Sequence, residues 1–286
     1  MKKELLKEEL RRQGKSRRKK LITWTCLTMV VLAVAGSFWY RSNLDVILQD
    51  RFQEGLILQK EGNYADALAR FQALYKKHPD FQHSSEALFQ AAEILNHYQA
   101  NHQEALLCYL LLERDYPDSP RVLDAQLRAA EIYKYRLEDH VLAISTYQKV
   151  LDQATEDADQ VQYEVADSYF RLNNYEQARI EFTSLLKNYP QSSLLAEVQF
   201  RIGMTYALEG QLPEAAGAYR LVTEKWPDST YAAEAKFSLA TVLEEQEELQ
   251  KALEILEGLQ GYSNQDVLEQ KIEKVRNRIA KKQKAI

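Results

Sequence analysis

The sequence predicts an all-α protein, an α-solenoid of about six helical hairpins that follows one N-terminal transmembrane helix. Three observations support this prediction. The composition favours helices, with 45% hydrophobic residues but only nine Gly and six Pro among 286 residues. Residues 21–40 contain no charged side chain. Beyond them, small and aromatic residues recur at fixed steps, as they do in repeat proteins.

The first 20 residues form a basic leader that is predicted to lie in the cytoplasm. They contain ten Lys or Arg and three Glu, whereas residues 21–286 contain 27 Lys or Arg and 39 Asp or Glu. The acidic main part of the chain lacks the basic excess of a nucleic-acid-binding protein, so no nucleic-acid partner is predicted. A basic segment directly before an apolar one indicates the cytoplasmic side of a membrane anchor.

Residues 21–40 are predicted to be that anchor. Twenty residues rising 1.5 Å each give a helix of about 30 Å, which matches the hydrocarbon core of a bilayer. The basic residues at 17–20 keep the N-terminus in the cytoplasm and place the rest of the chain outside it. A cleaved signal peptide is the alternative, because Ala33 and Ala35 form an A-x-A pattern. Both interpretations place the main part of the chain in the periplasm or an equivalent extracytoplasmic space.

Residues 41–264 are predicted to form the repeat array. From Ala166, an Ala, a Phe and a Pro follow after 12, 16 and 24 residues, and the same steps lead from Gly203 to Ala, Tyr and Pro. The small residues at the corresponding position of each repeat are Gly55, Ala92, Ala130, Ala166, Gly203 and Ala240. Each repeat is interpreted as two antiparallel helices that approach closely at the small residues, with the aromatic ring filling the gap to the next repeat.

Two further features mark the helix boundaries. Proline ends the second helix of a hairpin, because it has no N–H group and disfavours helix at the preceding residue. After the prolines come Asp118-Ser119, Gln191-Ser192 and Asp228-Ser229, and a Ser or Asp there is predicted to cap the next helix. Residues 265–286 are predicted to form a C-terminal capping helix and tail, since a stack of repeats needs a polar outer end.

The repeat pattern and its Tyr-Pro-Asp-Ser, Tyr-Pro-Gln-Ser and Trp-Pro-Asp-Ser junctions resemble the tetratricopeptide repeat family. The junctions and the 37- to 38-residue steps are similar to bacterial envelope members of the YfgM, YbgF/CpoB and BamD types. The anchor is most similar to the YfgM type. The sequence lacks the lipoprotein cysteine of the BamD type and the coiled-coil segment of the YbgF type.

This resemblance implies a function in protein–protein interaction. A membrane-anchored scaffold or adaptor of the bacterial envelope would bind protein or peptide segments in assembly, secretion or division complexes. A chaperone-like holdase beside the protein translocon is the alternative. The identity of the partner and the oligomeric state stay open.

The candidate binding residues lie in the first helix of each hairpin, which lines a groove in such arrays. Three residues before the small residue, five of six repeats have an aromatic side chain, and the third repeat has Leu127. The candidates are Phe52, Phe89, Tyr163, Phe200 and Phe237, with Arg171 and Met204 as further groove residues. The rings either anchor a bound peptide or pack between neighbouring helices, and packing is the favoured interpretation.

No catalytic residue, metal site, cofactor or small-molecule substrate is predicted. The sequence has no Gly-rich phosphate loop and no H-E-x-x-H, C-x-x-C or G-x-S-x-G motif. His78 and His83 stand five residues apart, as do His97 and His102, whereas metal sites on helices use steps of three or four. These histidines are interpreted as solvated turn residues, and the many Asp and Glu as solvated helix faces.

Overall fold

The computed structural model describes residues 24–25, 27–153 and 157–284. Residues 27–42 are helical, and every further regular element in the described part of the chain is an α-helix. These helices are α1 (Leu44–Lys60), α2 (Tyr64–Lys77), α3 (Ser84–His97), α4 (His102–Asp115), α5 (Val122–Tyr135), α6 (His140–Leu151), α7 (Ala158–Arg171), α8 (Tyr175–Asn188), α9 (Leu195–Leu208), α10 (Leu212–Lys225), α11 (Thr230–Glu245), α12 (Leu249–Glu257) and α13 (Gln265–Lys284). The predicted all-α class is confirmed.

The described residues include most of the predicted membrane anchor at 21–40. Within the described residues, no helix combines the length and the apolar character that crossing a membrane requires. The transmembrane helix predicted over residues 21–40 is therefore not found there, and residues 21–23 and 26 lie outside the described residues.

The chain divides into two compact units between Ala100 and Asn101. The first unit contains α1 to α3 and the second contains α4 to α13. Within each unit, every helix packs against the next one along the chain. Short turns of three or four residues join the helices of each hairpin, and the paired helices run antiparallel in the five hairpins that lie within one unit.

Each hairpin turn is made possible by one residue with left-handed backbone geometry. These residues are Gly62, Ala100, Glu138, Asn173, Gly210 and Glu247, with φ between 51 and 82°. A left-handed residue just after a helix satisfies its last carbonyl groups and turns the chain sharply. Asn101, Asp139 and Asn174 then cap the second helix by accepting a hydrogen bond from the backbone three residues on.

The small residue of the first helix lies against the aromatic ring of its own hairpin. A Cβ atom on Gly203 would stand 2.6 Å from the Tyr219 ring, and one on Gly55 would stand 2.7 Å from the Phe71 ring. Both rings are buried. The Tyr219 ring also belongs to one core cluster with Ala235 and Leu239 of the next hairpin, which agrees with the prediction that the ring fills the gap to that hairpin. Glycine is needed because the two helices of one hairpin meet through the ring.

The prolines end the second helices as predicted, but the serines do not cap the next ones. One residue with non-helical backbone geometry separates each of four helices from its proline. These residues are His78, Tyr116, Tyr189 and Trp226, with ψ between 56 and 64°. Ser119 and Ser192 accept backbone hydrogen bonds within the loop, and the helices begin at Val122 and Leu195. Ser229 stands at the N-cap of its helix but makes no side-chain capping bond.

The last helix, α13, packs on α12 and completes the core at the C-terminal end of the second unit. Leu268 and Val275 are buried there, and Ile272 and Ile279 pack around them. The spacing of three or four residues places all four side chains on one face of α13.

Candidate protein-binding face

The candidate residues lie on the first helices of the hairpins, Phe52 and Phe89 in the first unit and the others in the second. We call the surface that α5, α7, α9 and α11 share within the second unit the first-helix face. Phe52 and Phe89 are only 4% and 7% exposed, while Tyr163, Phe200 and Phe237 are half-buried. The ring centroids of Phe52 and Tyr163 lie 5.9 and 5.8 Å from Phe71 and Phe182 in their own hairpins. These aromatic side chains, one in each of five repeats, therefore pack between helices. Their contact with a partner stays a prediction.

Several of these aromatic side chains also contact the helix or loop that follows their hairpin. Phe200 lies 5.7 Å from the Tyr231 ring of α11, and Phe237 stacks on Tyr262 at 4.4 Å. The Tyr163 hydroxyl donates a hydrogen bond to Glu197 of α9 at 2.5 Å. These contacts close the gaps between successive first helices.

His83 makes a contact of the same kind in the first unit. Its ring stacks on Phe52 with a centroid distance of 5.0 Å and an interplanar angle of 9°. His83 thus lies in a turn and is partly exposed, as predicted, but its ring also packs on Phe52. The steps along the sequence predicted a row of rings but not the partner that each ring contacts.

A buried ion network joins three successive first helices. The Lys134 side chain of α5 is fully buried, and its Nζ lies 2.5 Å from Glu164 and 2.7 Å from Asp167, both in α7. Asp167 also accepts from Arg171 Nε at 2.9 Å and lies 3.7 Å from Arg201 of α9. Asp167 is buried, so the expectation that the acidic residues lie on solvated faces was wrong here.

The network determines the ionisation of Asp167. Burial by itself would raise the pKa of this carboxyl, but hydrogen bonds from Lys134 and Arg171 outweigh it and hold the pKa below its usual value. Asp167 therefore carries its charge at neutral pH and pairs with the cations around it. A buried charge of this kind is stable only while its partners remain.

A second ion cluster joins α11 to α13. Glu244 is buried, with its carboxylate 2.6 Å from Lys271 and 2.8 Å from Arg278. Burial would raise the pKa of Glu244, but hydrogen bonds from Lys271 and Arg278 lower it to about 2. The structure thus places Glu244 in the contact that holds the last helix.

The remaining predicted groove residues differ in their accessibility. Half of the Arg171 side chain is exposed while its Nε binds Asp167, and Met204 is half-buried beside the core of the last hairpins. Tyr135, which was not predicted, is 51% exposed on α5 and donates to Glu164 at 2.6 Å. The first-helix face thus presents Tyr135 and Arg171 to solvent above a buried ionic layer. Such a face can offer stacking, hydrogen bonding and charge to an extended segment.

Comparisons with known proteins agree with this architecture. The model of a family described as "Tetratricopeptide repeat" matches residues 52–120, 132–193, 163–230 and 210–266. No curated protein matches the chain. A tetratricopeptide repeat protein from Parabacteroides merdae is similar in structure, with a TM-score of 0.51 and 16% identity over 80% of this chain and 98% of that one.

A second similar structure is that of Naa15/Naa10 bound to HypK-THB. Its TM-score is 0.51 at 18% identity, and the match covers 83% of this chain but only 35% of the other. This chain thus spans about a third of that relative's length. At these identities the two structures support the fold alone, whereas the family model matches well over half of the sequence. The chain belongs to the tetratricopeptide repeat family.

Proposed function

We propose that this protein is a membrane-anchored scaffold or adaptor of the bacterial cell envelope, which binds a protein segment on its first-helix face. Family membership supports a scaffold for protein–protein interaction in general. Our proposal goes beyond the family in three respects. It places the repeats in the periplasm, it anchors the protein in the membrane, and it assigns the protein to an assembly, secretion or division complex. No catalytic step is part of it.

The observation that carries the proposal is the layered construction of the first-helix face. Buried rings and ion pairs hold successive first helices together. Other side chains of the same helices are therefore free to be exposed to solvent. Tyr135 and Arg171 are each about half exposed while a hydrogen bond to a buried carboxylate fixes their position. Side chains held in this way lose little freedom when they bind, which favours recognition of a segment.

The proposed anchor is supported by the exposure of the N-terminal helical residues. Eight large apolar side chains between positions 27 and 39 are 58–76% exposed: Leu27, Met29, Val30, Val31, Leu32, Val34, Phe38 and Trp39. A continuous apolar surface of this size needs a cover. The basic residues at 17–20 on one side of it favour a bilayer in the orientation that keeps the leader in the cytoplasm.

Site-specific photocrosslinking in intact cells tests the binding face. A photoreactive amino acid is placed at Tyr135 or Arg171 on the first helices, with matched controls at Leu142 and Ile180, which are 43% and 50% exposed on the second helices α6 and α8. We expect one or a few proteins to be captured from positions 135 and 171 only. Capture from the control positions alone would move the binding surface to the second helices.

The same experiment separates a scaffold from a holdase. A scaffold captures a small, constant set of partners, whereas a holdase captures many unrelated exported proteins. The latter result would replace the adaptor by the chaperone-like alternative. Capture of cytosolic proteins would contradict both.

Topology is tested independently with a fusion of alkaline phosphatase after Lys60, at the end of α1. The enzyme is active only outside the cytoplasm, so we expect an active fusion in the membrane fraction. A fusion with β-galactosidase at the same residue is the matched control and should be inactive. The reverse pattern would overturn the proposed orientation and, with it, the envelope role.

A further inference from the structure

A pocket of about 520 Å³ opens on the first-helix face between α5 and α7, in the second unit. Leu127 and Glu131 of α5 form one side of it and Glu164 of α7 forms the other. Tyr147, from the second helix α6, also lines the pocket. The pocket therefore lies where a segment bound to the first-helix face would pass.

The pocket exists because two rings found at another junction are missing here. Between α9 and α11, Phe200 of one helix lies 5.7 Å from Tyr231 of the next. Counted from the small residue of each repeat, the corresponding residues are Leu127 and Asp157, and both line the pocket. A shorter apolar side chain and a carboxylate thus replace two packed rings.

Tyr147 lines this pocket and carries an unsatisfied polar group, its hydroxyl. Tyr147 is fully buried, and its hydroxyl oxygen has no hydrogen-bond partner among the described residues. A buried hydroxyl without a partner costs stability relative to a bonded one. Burial also raises the pKa of Tyr147, so the group stays a neutral hydroxyl at physiological pH. A ligand atom that hydrogen-bonds to this oxygen recovers that cost.

The lining of the pocket is acidic. Its carboxylates belong to Glu131, Asp157, Asp159 and Glu164. The nearby cations are fewer: Lys134 is shared between Glu164 and Asp167, and Arg128 lies 2.9 Å from Glu131 at the half-exposed edge. The pocket therefore has an excess of negative charge, which favours a cation.

We infer that this pocket receives the basic side chain, Arg or Lys, of the protein segment that binds to the first-helix face. The Leu127 side chain contacts the aliphatic part of the bound Arg or Lys. The N–H groups of that Arg or Lys donate to the Tyr147 hydroxyl oxygen and to the carboxylates. This inference rests on the proposed function and makes the third hairpin the position at which the protein selects its partner by charge.

Binding of side-chain analogues to the full-length protein in lipid nanodiscs tests the inference. Nα-acetyl-arginine methylamide and its lysine equivalent are titrated into protein labelled with ¹³C in the tyrosine rings, and Tyr147→Phe assigns the Tyr147 signal. We expect a saturable shift of that signal. The neutral citrulline analogue should bind at least about tenfold more weakly, because it has the same shape without the charge. Equal binding of citrulline, or no shift with either cation, overturns the inference.

Two variants and one control locate the site. Leu127→Phe fills the pocket with the kind of residue that the other five repeats carry, and should weaken binding by about tenfold or more. Glu131→Gln removes one charge at a half-exposed position and should weaken binding by about threefold, which keeps the test valid if Leu127→Phe misfolds. Tyr175→Phe, on the second helix α8 and outside the lining of the pocket, should leave binding unchanged. An unchanged affinity in both pocket variants contradicts the inference.

The outcome separates this inference from the proposed function. If positions 135 and 171 capture a partner while the analogues fail to bind, the face binds proteins without selecting a basic residue. If the analogues bind at Tyr147 and no partner is captured, the pocket is real and the scaffold role falls.

Discussion

The α9–α11 junction and the α5–α7 junction hold the same place in the repeat but are filled by different chemistry. In the first, the rings of Phe200 and Tyr231 pack together. In the second, Leu127 stands beside an open pocket while the buried Lys134 reaches across to Glu164. Both junctions join successive hairpins of one compact unit.

The difference shows which contacts set the repeat geometry and which are free to vary. The close approach inside a hairpin depends on a small residue against a ring, as at Gly203 and Tyr219. The junction between hairpins needs only some contact of adequate strength. At the α9–α11 junction two rings pack together, whereas at the α5–α7 junction an ion pair makes the contact and leaves space beside it. Variation at the junctions therefore gives the family fold a specific binding pocket.

The largest expected effect comes from breaking the ionic junction with Lys134→Met. This substitution leaves Glu164 and Asp167 without the cation that both contact, so we expect a loss of about 3–5 kcal/mol in the free energy of unfolding. Urea unfolding followed by circular dichroism measures it. Lys149→Met is the control, because the Lys149 side chain is 55% exposed and its pair with Glu113 should contribute less than about 1 kcal/mol. Similar losses in the two variants would show that the buried network is not what holds this junction.

The α11–α13 contact extends the comparison to a second ionic junction and to its pH dependence. We expect Glu244→Gln to lose about 2 kcal/mol of unfolding free energy at pH 7, because Lys271 and Arg278 lose the charge they bind. The folded-state pKa of Glu244 is lowered to about 2 from an ordinary 4.5, so its contribution is complete above pH 4.5. As the pH falls from 4.5 toward 2, the gap between wild type and variant should close.

A matched variant separates this effect from general acid sensitivity. Glu257 pairs with Arg276 at 2.6 Å, but both side chains are exposed. Glu257→Gln should therefore change stability little at any pH. A gap that stays constant between pH 7 and pH 2 would disprove the assignment to Glu244.

The packing inside a hairpin is tested with Gly203→Ala, which we expect to destabilise by about 2 kcal/mol. The added Cβ meets a buried ring at 2.6 Å, and neither the ring nor the helix backbone can move without loss of packing. Gly217→Ala, in the middle of α10, adds the same atom where no other atom lies within 4 Å, and should stabilise by up to about 1 kcal/mol. Melting temperatures that shift in the same direction would contradict this account of the small residue.

The smallest expected effect is at the α7–α9 junction, which combines a ring with a polar contact. Tyr163→Phe keeps the ring and removes the hydrogen bond to Glu197, so we expect a loss of about 1 kcal/mol in unfolding free energy. Tyr175→Phe removes an exposed hydroxyl bond to Asn173 and should have almost no effect. A loss at Tyr163 as large as that of Lys134→Met would erase the distinction between ring and ionic junctions.

Much of the fold was predictable, because each repeat carries its own local signals. The small residues, the prolines and the Asn and Asp residues before the second helices act within a few positions along the chain. The serine caps were predicted wrongly at Ser119 and Ser192, since a backbone bond inside the loop competes with a cap at the helix start. For the candidate site, the sequence predicted which helix face each residue lies on, but not which residues contact one another.

The sequence by itself determined the helical class, the number of hairpins and the position of each small residue, because these depend on spacing within one hairpin. Only the tertiary structure decided that Lys134 is buried against Glu164, 30 residues away, and that Leu127 borders a pocket. Those outcomes depend on how one hairpin lies on the next. Helical periodicity specifies the face on which a side chain stands, but the distance between two faces follows from the packing of all the side chains between them.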